Sequence, residues 1–177
     1  RKQIAVDSIS GVRVDAYRTA VDMMGNDPSR WAPRTHETAD HSLPYTVAIA
    51  LLDGAVSGGS FAAERFTDPA VVDLMRKIEV QEDPALSAGY PDGAPSRLTV
   101  TLSSGAVHRA ERTYPDGHGK NPLADGAVEA KFRYMTQRHR SPAHAEQMLD
   151  RLWRVETGGD VGRDVLSPLC ACEGCAA

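Results

Sequence analysis

The spacing of apolar and polar positions changes character several times along the chain. From Ile4 to Met24, β-branched residues recur with local alternation, Val12, Val14 and Ala16 set against Arg13 and Asp15, which predicts one or two strands. Gly25 to Asp40 has no period and carries Pro28, Trp31 and Pro33. A stretch of that length predicts a functional loop or a packed wrap over the surface. Leu43 to Asp53 is apolar almost all round and is followed by Gly54, so a buried helix is expected, with Ser42 as its N-cap. A second helix is expected from Asp68-Pro69 to about Lys77, a cap followed by a first-turn proline, with Val72, Met75 and Ile78 on one side.

Further on, Leu98, Val100 and Leu102 alternate with Thr99 and Thr101. Ser103-Ser104-Gly105 then turns the chain into a second alternating run ending near Tyr114, the pattern of a β-hairpin with one buried face. A loop from Pro115 to Pro122, holding His118 and Lys120, separates this hairpin from a helical region. There Val128, Phe132 and Met135 stripe one helix, and Ser141-Pro142 opens another with Ala145, Met148, Leu149 and Leu152 inward. The expected fold class is therefore α+β. A strand-containing module spans residues 1–117, a helical segment spans 118–167 with an apolar stripe that needs a partner surface, and 168–177 form a Cys/Ala tail read as a disordered terminus.

Composition narrows the function classes. Hydrophobic residues at 41% and charged residues at 25% of 177 are those of a globular chain. Twenty Lys and Arg against 24 Asp and Glu give a formal charge of -4, which repels a phosphate backbone, so no nucleic-acid partner is expected. The three cysteines, Cys170, Cys172 and Cys175, all fall at the C-terminal end. No disulfide framework is expected, and a reducing, cytoplasmic compartment fits this usage. No apolar run approaches the roughly 20 residues that span a bilayer, so no membrane partner is expected. The chain starts at Arg1 without a signal pattern and reads as an excerpt or a processed product.

Titratable groups concentrate in His36-Glu37-Thr38-Ala39-Asp40-His41-Ser42-Leu43-Pro44-Tyr45, just before the expected buried helix. A helix start favours an anion, and His41, Ser42 and Tyr45 could supply proton donors beside a bound carboxylate. The bland alternative is that Asp40 and Ser42 cap the helix while His41 and Tyr45 are packed, hydrogen-bonded residues. A zinc site is disfavoured. His36 and His41 are five apart, which on a helix separates them by about 140°, and the proline-flanked context argues against a helix there. The tail cysteines could hold a soft metal only with a fourth ligand from elsewhere; a mobile terminus is the simpler reading. No nucleophile-elbow, P-loop or dinucleotide glycine signature occurs.

The run Glu37 to Tyr45, continued by Val47-Ala48-Ile49-Ala50-Leu51-Leu52-Asp53-Gly54, resembles the most recognisable signature of the MmgE/PrpD family, which includes 2-methylcitrate dehydratase. Asp68-Pro69, Leu74-Met75, Lys77-Ile78, the hairpin with Gly105 at its turn, Tyr114-Pro115-Asp116-Gly117-His118, Asn121-Pro122 and Lys131-Phe132 follow in family order. The resemblance runs from about Ile4 to Leu166 and excludes the tail.

It implies a large helical domain, a smaller α+β lid that this chain represents in part, and a cofactor-free active site in the cleft between them, with no metal. Most of the family's acid and base residues lie before the region covered here. What the resemblance carries over is Tyr45 and His41 as catalytic residues, with Ser42, Asp40, His118 and Lys120 as substrate-binding candidates; Asp40 is the orienting or capping partner.

The implied activity of the whole protein is dehydration of a tricarboxylic acid such as 2-methylcitrate, with cis-aconitate decarboxylation or amino-diacid epimerisation as alternatives within the family. The isolated chain is expected to be inactive. Its implied partners are a small tri- or dicarboxylic acid, a helical N-terminal domain or subunit and, in the complete enzyme, a second copy. A reading from another class makes the chain a non-catalytic subunit or a truncated remnant that binds a helical-domain protein.

Overall fold

The computed structural model describes residues 4–170. The chain divides into two units, Arg1–Pro115 and Asp116–Ala177. The fold class is α+β, as the sequence predicts.

The first unit is built on a four-stranded mixed sheet in the order β2-β1-β3-β4. β1 (Ile9–Ala16) runs parallel to β2 (Ile78–Glu82) and antiparallel to β3 (Ser96–Leu102), and β3 pairs with β4 (Val107–Arg112) as the expected hairpin. Val12, Val14, Ile78 and Val100 turn one face of the sheet into the core. There they meet Tyr45, Ala48 and Ile49 from α4 (Leu43–Asp53) and Val71, Leu74 and Met75 from α5 (Pro69–Met75). Complete removal of an aliphatic side chain from water contributes about 1.5–3 kcal/mol, so this cluster is what fixes α4 against the sheet.

The helix signals on either side of α4 act as read. Ser42 caps it, and Gly54 ends it at φ 76°, a left-handed conformation that costs glycine little. Asp68 caps α5 by accepting from the Ala70 N–H, with Pro69 in the first turn.

Four readings of the sequence need correction. Arg18–Met24 is a helix, α1, and only Ile9–Ala16 of the N-terminal stretch is strand. The irregular stretch contains two short helices, α2 (Pro28–Trp31) and α3 (His36–Asp40). Asp27 and Thr35 start them by accepting from the Ser29 and Thr38 N–H groups, so Pro28 and Pro33 flank these helices without interrupting either. α5 stops at Met75 and buries Val71, Leu74 and Met75, because Ile78 already belongs to β2. β2 was not predicted, since of its residues only Ile78 was assigned, to the face of the expected helix; one further turn, α6 (Pro84–Ser87), follows it.

In the second unit, α7 (Asp125–Thr136) and α8 (Pro142–Trp153) form the two helices the periodicity predicts. Ala145, Met148 and Leu149 are buried. The Arg133 guanidinium bridges both carboxylate oxygens of Glu146, at 2.6 and 2.9 Å. Val128, Tyr134 and Met135 remain exposed. Among the described residues no helix is long and apolar enough to cross a membrane. The first residues of the expected tail belong to a short helix, Ser167–Cys170, with Cys170 exposed, and Cys172 and Cys175 lie outside the described residues.

Candidate active site

The sequence cluster at the α3–α4 junction folds as two successive caps. Thr35 opens α3 through a reciprocal pair of bonds with Thr38, five residues of helix follow, and His41 leaves helical geometry to let Ser42 open α4. Ser42 is fully buried. Its Oγ accepts from the Tyr45 N–H at 3.1 Å and donates to the Arg30 carbonyl, which joins α4 to α2. Both roles of the hydroxyl are thereby used within the chain, and Ser42 offers no free donor to a substrate here.

Tyr45 is also fully buried. A catalytic Tyr45 is expected to turn its hydroxyl to a cleft. Instead the hydroxyl points inward and donates to the Ser60 carbonyl at 2.5 Å, while the ring meets Phe61 and Phe66 at centroid distances of 6.2 and 5.8 Å. The reason is packing, since position 45 lies on the face of α4 that meets the sheet and α5. Desolvation raises its pKa above the ordinary value, so the phenol stays neutral.

The accessible titratable groups are His36, Glu37, Asp40 and His41. His41 Nδ1 lies 2.6 Å from Asp40 Oδ1 and 3.1 Å from the Glu37 carbonyl oxygen. Both neighbours are acceptors, so Nδ1 carries the proton and Nε2 is the nitrogen left to exchange one. The bond to Asp40, then the one to the Glu37 carbonyl, raises the His41 pKa above 6.5. Asp40 is thus the orienting partner of His41, and the cap belongs to Ser42. His36 Nδ1 stands 3.6 Å from the other Asp40 oxygen, and its ring leans on Phe61 at 5.0 Å. One atom each of Glu37, Asp40 and His41 lies within 4.8 Å of the others, close enough for a shared cation. Binding there would need His41 Nδ1 to lose its proton and its bond to Asp40.

A cavity of about 660 Å³ lies in the same unit, lined by Trp31, Pro33, Phe66 and Met75 together with the guanidinium-bearing Arg34 and Arg76. Neither His41 nor Asp40 lines it. Apolar walls with two cations suit a carboxylate on a carbon skeleton. The sequence reading missed these residues, since Arg34 stands in an aperiodic stretch between α2 and α3 and Arg76 in the turn after α5. The one available signal was the length of that stretch.

His118 and Lys120 belong to the second unit. The Gly117 N–H donates to the Asn121 carbonyl at 2.9 Å, the Asn121 N–H donates to the His118 carbonyl at 2.7 Å, and Gly117 takes φ 90°. His118 Nδ1 accepts from the Lys120 N–H at 3.1 Å. The ring therefore holds the turn through Nδ1 and keeps Nε2 as its protonated nitrogen in the neutral form.

Residues 1–155 match the sequence model of the MmgE/PrpD C-terminal domain, and the chain belongs to the MmgE/PrpD family. It is 34% identical over 117 residues to 2-methylcitrate dehydratase of Cupriavidus necator, covering 62% of this chain and 24% of that protein. Cis-aconitate decarboxylase of Mus musculus is 28% identical over 121 residues, covering 67% of this chain and 22% of the relative. Its Homo sapiens counterpart is 32% identical over 109 residues, covering 57% and 21%. The chain thus spans about a quarter of the length of the curated relatives it matches.

Proposed function

We propose that this chain is the C-terminal part of a cofactor-independent lyase that dehydrates a small tricarboxylic acid of the 2-methylcitrate type. The observation that carries the reading is the His41–Asp40 pair, a half-exposed imidazole held through Nδ1 with Nε2 left to move a proton. Elimination of water next to a carboxylate needs a base for the α-proton, an acid for the departing hydroxide and cations for the carboxylates. His41 is the proton-transfer group that this chain contributes. Arg34 and Arg76 are the cations it offers to a carboxylate, while Ser42 and Tyr45 hold the junction in place. His118 and Lys120 are placed in the same reading as substrate-binding groups of the returning helical segment.

The remaining acid and base groups come from the part of the enzyme that precedes this chain. The exposed Val128, Tyr134 and Met135 support a helical partner domain against α7. The match to cis-aconitate decarboxylases supports a second reading. Decarboxylation runs the proton the other way: the C–C bond to the carboxylate breaks, carbon dioxide leaves, its electron pair stays on the carbon skeleton, and a protonated His41 Nε2 would deliver a proton to that carbon.

The test is His41→Gln in a complete enzyme, made by joining this chain to the preceding part of the Cupriavidus necator dehydratase. The amide keeps a donor near Asp40 and loses the titrating nitrogen, so kcat is expected to fall by about 10²-fold or more with KM little changed. Unchanged kcat would remove His41 from the mechanism. Supplying cis-aconitate and measuring carbon dioxide release separates the decarboxylase reading from the dehydratase one.

A further inference from the structure

The face of the sheet turned away from α4 and α5 carries a second concentration of charge that the candidate active site does not use. Strand alternation sends Val12, Val14 and Val100 into the core, so Arg13, Thr99 and Arg109 project from the opposite face. The register puts these three side by side, Arg13 paired with Thr99 and Thr99 with Arg109. With strands about 4.8 Å apart, the two arginines flank the threonine on backbones about 10 Å apart. A cleft of about 520 Å³ opens here, and Lys77, just before β2, adds a third cation to its wall, while Arg76 lines both this cleft and the cavity of the candidate site. Glu79 is the single carboxylate lining it.

The cations are neutralised to different extents. The Arg109 side chain makes no ion pair or hydrogen bond among the described residues. Arg13 Nε stands 3.3 Å from Asp15 Oδ1, which also accepts from the neutral Gln81 amide at 2.6 Å, so Arg13 is partly neutralised and keeps its other guanidinium N–H groups to give. Lys77 Nζ donates to the Ile9 carbonyl at 2.8 Å and keeps two further protons to give. Arg76 pairs with Asp73 at 2.9 Å, with both side chains largely exposed, an arrangement that contributes little.

A second observation comes from the floor of the cleft. Thr99 is only 8% exposed, and its Oγ1 is buried without a hydrogen-bond partner. A buried hydroxyl left unsatisfied is a cost to the fold, and an anion oxygen reaching it removes that cost.

We infer that this face holds a site for a small multivalent oxyanion, a di- or tricarboxylate or a phosphate, bound between Arg13 and Arg109 with the Thr99 hydroxyl as the buried donor. Arg and Lys side chains arranged around a hydroxyl form a set of charge-assisted donors for such a group. Arg13, Thr99 and Arg109 are separate from the His41 cluster, which lies beside α4 on the other side of the sheet; Arg76 is the one lining residue shared with the cavity of the candidate site, and the anion site does not depend on the proposed lyase activity.

The test titrates the full 177-residue chain with citrate and, separately, with inorganic phosphate, following backbone amide signals and the unfolding midpoint. Shifts centred on β1, β3 and β4 with either probe are expected, and they weaken as sodium chloride is raised. The probe that binds tells a polycarboxylate site from a phosphate site. Arg109→Gln and Thr99→Val should each weaken binding by about tenfold. Arg112→Gln, on the core-side face of β4, should leave it intact. Thr99→Val also shows that the fold survives, since replacing an unpaired buried hydroxyl by a methyl should hold or raise the midpoint without anion. No saturable binding of either probe, or binding that both cleft variants leave unchanged, overturns the site.

Discussion

His41 Nδ1 and Asp40 Oδ1 stand 2.6 Å apart at the end of a five-residue helix, and the same ring nitrogen reaches the Glu37 carbonyl at 3.1 Å. The pair converts an exposed histidine into one of fixed orientation and defined tautomer, with its exchangeable nitrogen on the far side of the ring.

Its pH behaviour follows from the bond to Asp40, which raises the His41 pKa above 6.5. A raised pKa in the folded state means that the pair's contribution to stability is fully present below the ordinary histidine value and is lost as pH rises through the folded value. Proton NMR titration of the His41 ring should show a midpoint above 6.5 that falls back towards it in Asp40→Asn. The same midpoint in both proteins would mean that the pair does not form in solution.

Tyr45 and Ser60 supply a prediction about the core. Tyr45→Phe keeps the ring against Phe61 and Phe66 but leaves the Ser60 carbonyl without its donor. The chain should lose about 1 kcal/mol, read from chemical denaturation with an unchanged m-value. An unaltered midpoint would show that the hydroxyl is not engaged as described.

Ser42→Ala removes an N-cap acceptor and the donor to the Arg30 carbonyl in one change. A buried cap of this kind contributes about 1–2 kcal/mol. The loss should therefore equal or exceed that of Tyr45→Phe, and hydrogen exchange should speed up first at the start of α4.

The sequence made α4 legible because its signals agree with one another: a continuous apolar run, a serine before it and a glycine after it all specify the same helix. The β3–β4 hairpin was legible from strict alternation around Ser103-Ser104-Gly105. β2 was not, because Ile78 continues the apolar spacing of α5 and nothing local marks the change of period. α2 and α3 were missed since each is shorter than a periodic pattern can register; their caps, Asp27 and Thr35, were the only trace.

At the site, the concentration of titratable residues from His36 to His41 was visible, while the sequence left Asp40 open between an orienting and a capping role. The direction of the Tyr45 side chain was not, because it depends on where Ser60, Phe61 and Phe66 return in the tertiary structure. The cations of Arg13 and Arg109 come together only through strand register, which no local pattern encodes.

We propose that this chain is one part of a two-part lyase site. It is tested by following formation of the unsaturated tricarboxylate from 2-methylcitrate, with the purified 177-residue chain in one assay and the chain joined to the preceding part of the Cupriavidus necator dehydratase in the other. No turnover by the chain alone is expected, and turnover by the joined protein that falls about 10²-fold or more in His41→Gln. Turnover by the isolated chain at an ordinary enzymatic rate, or a folded joined protein that forms no product from 2-methylcitrate or cis-aconitate, would contradict it.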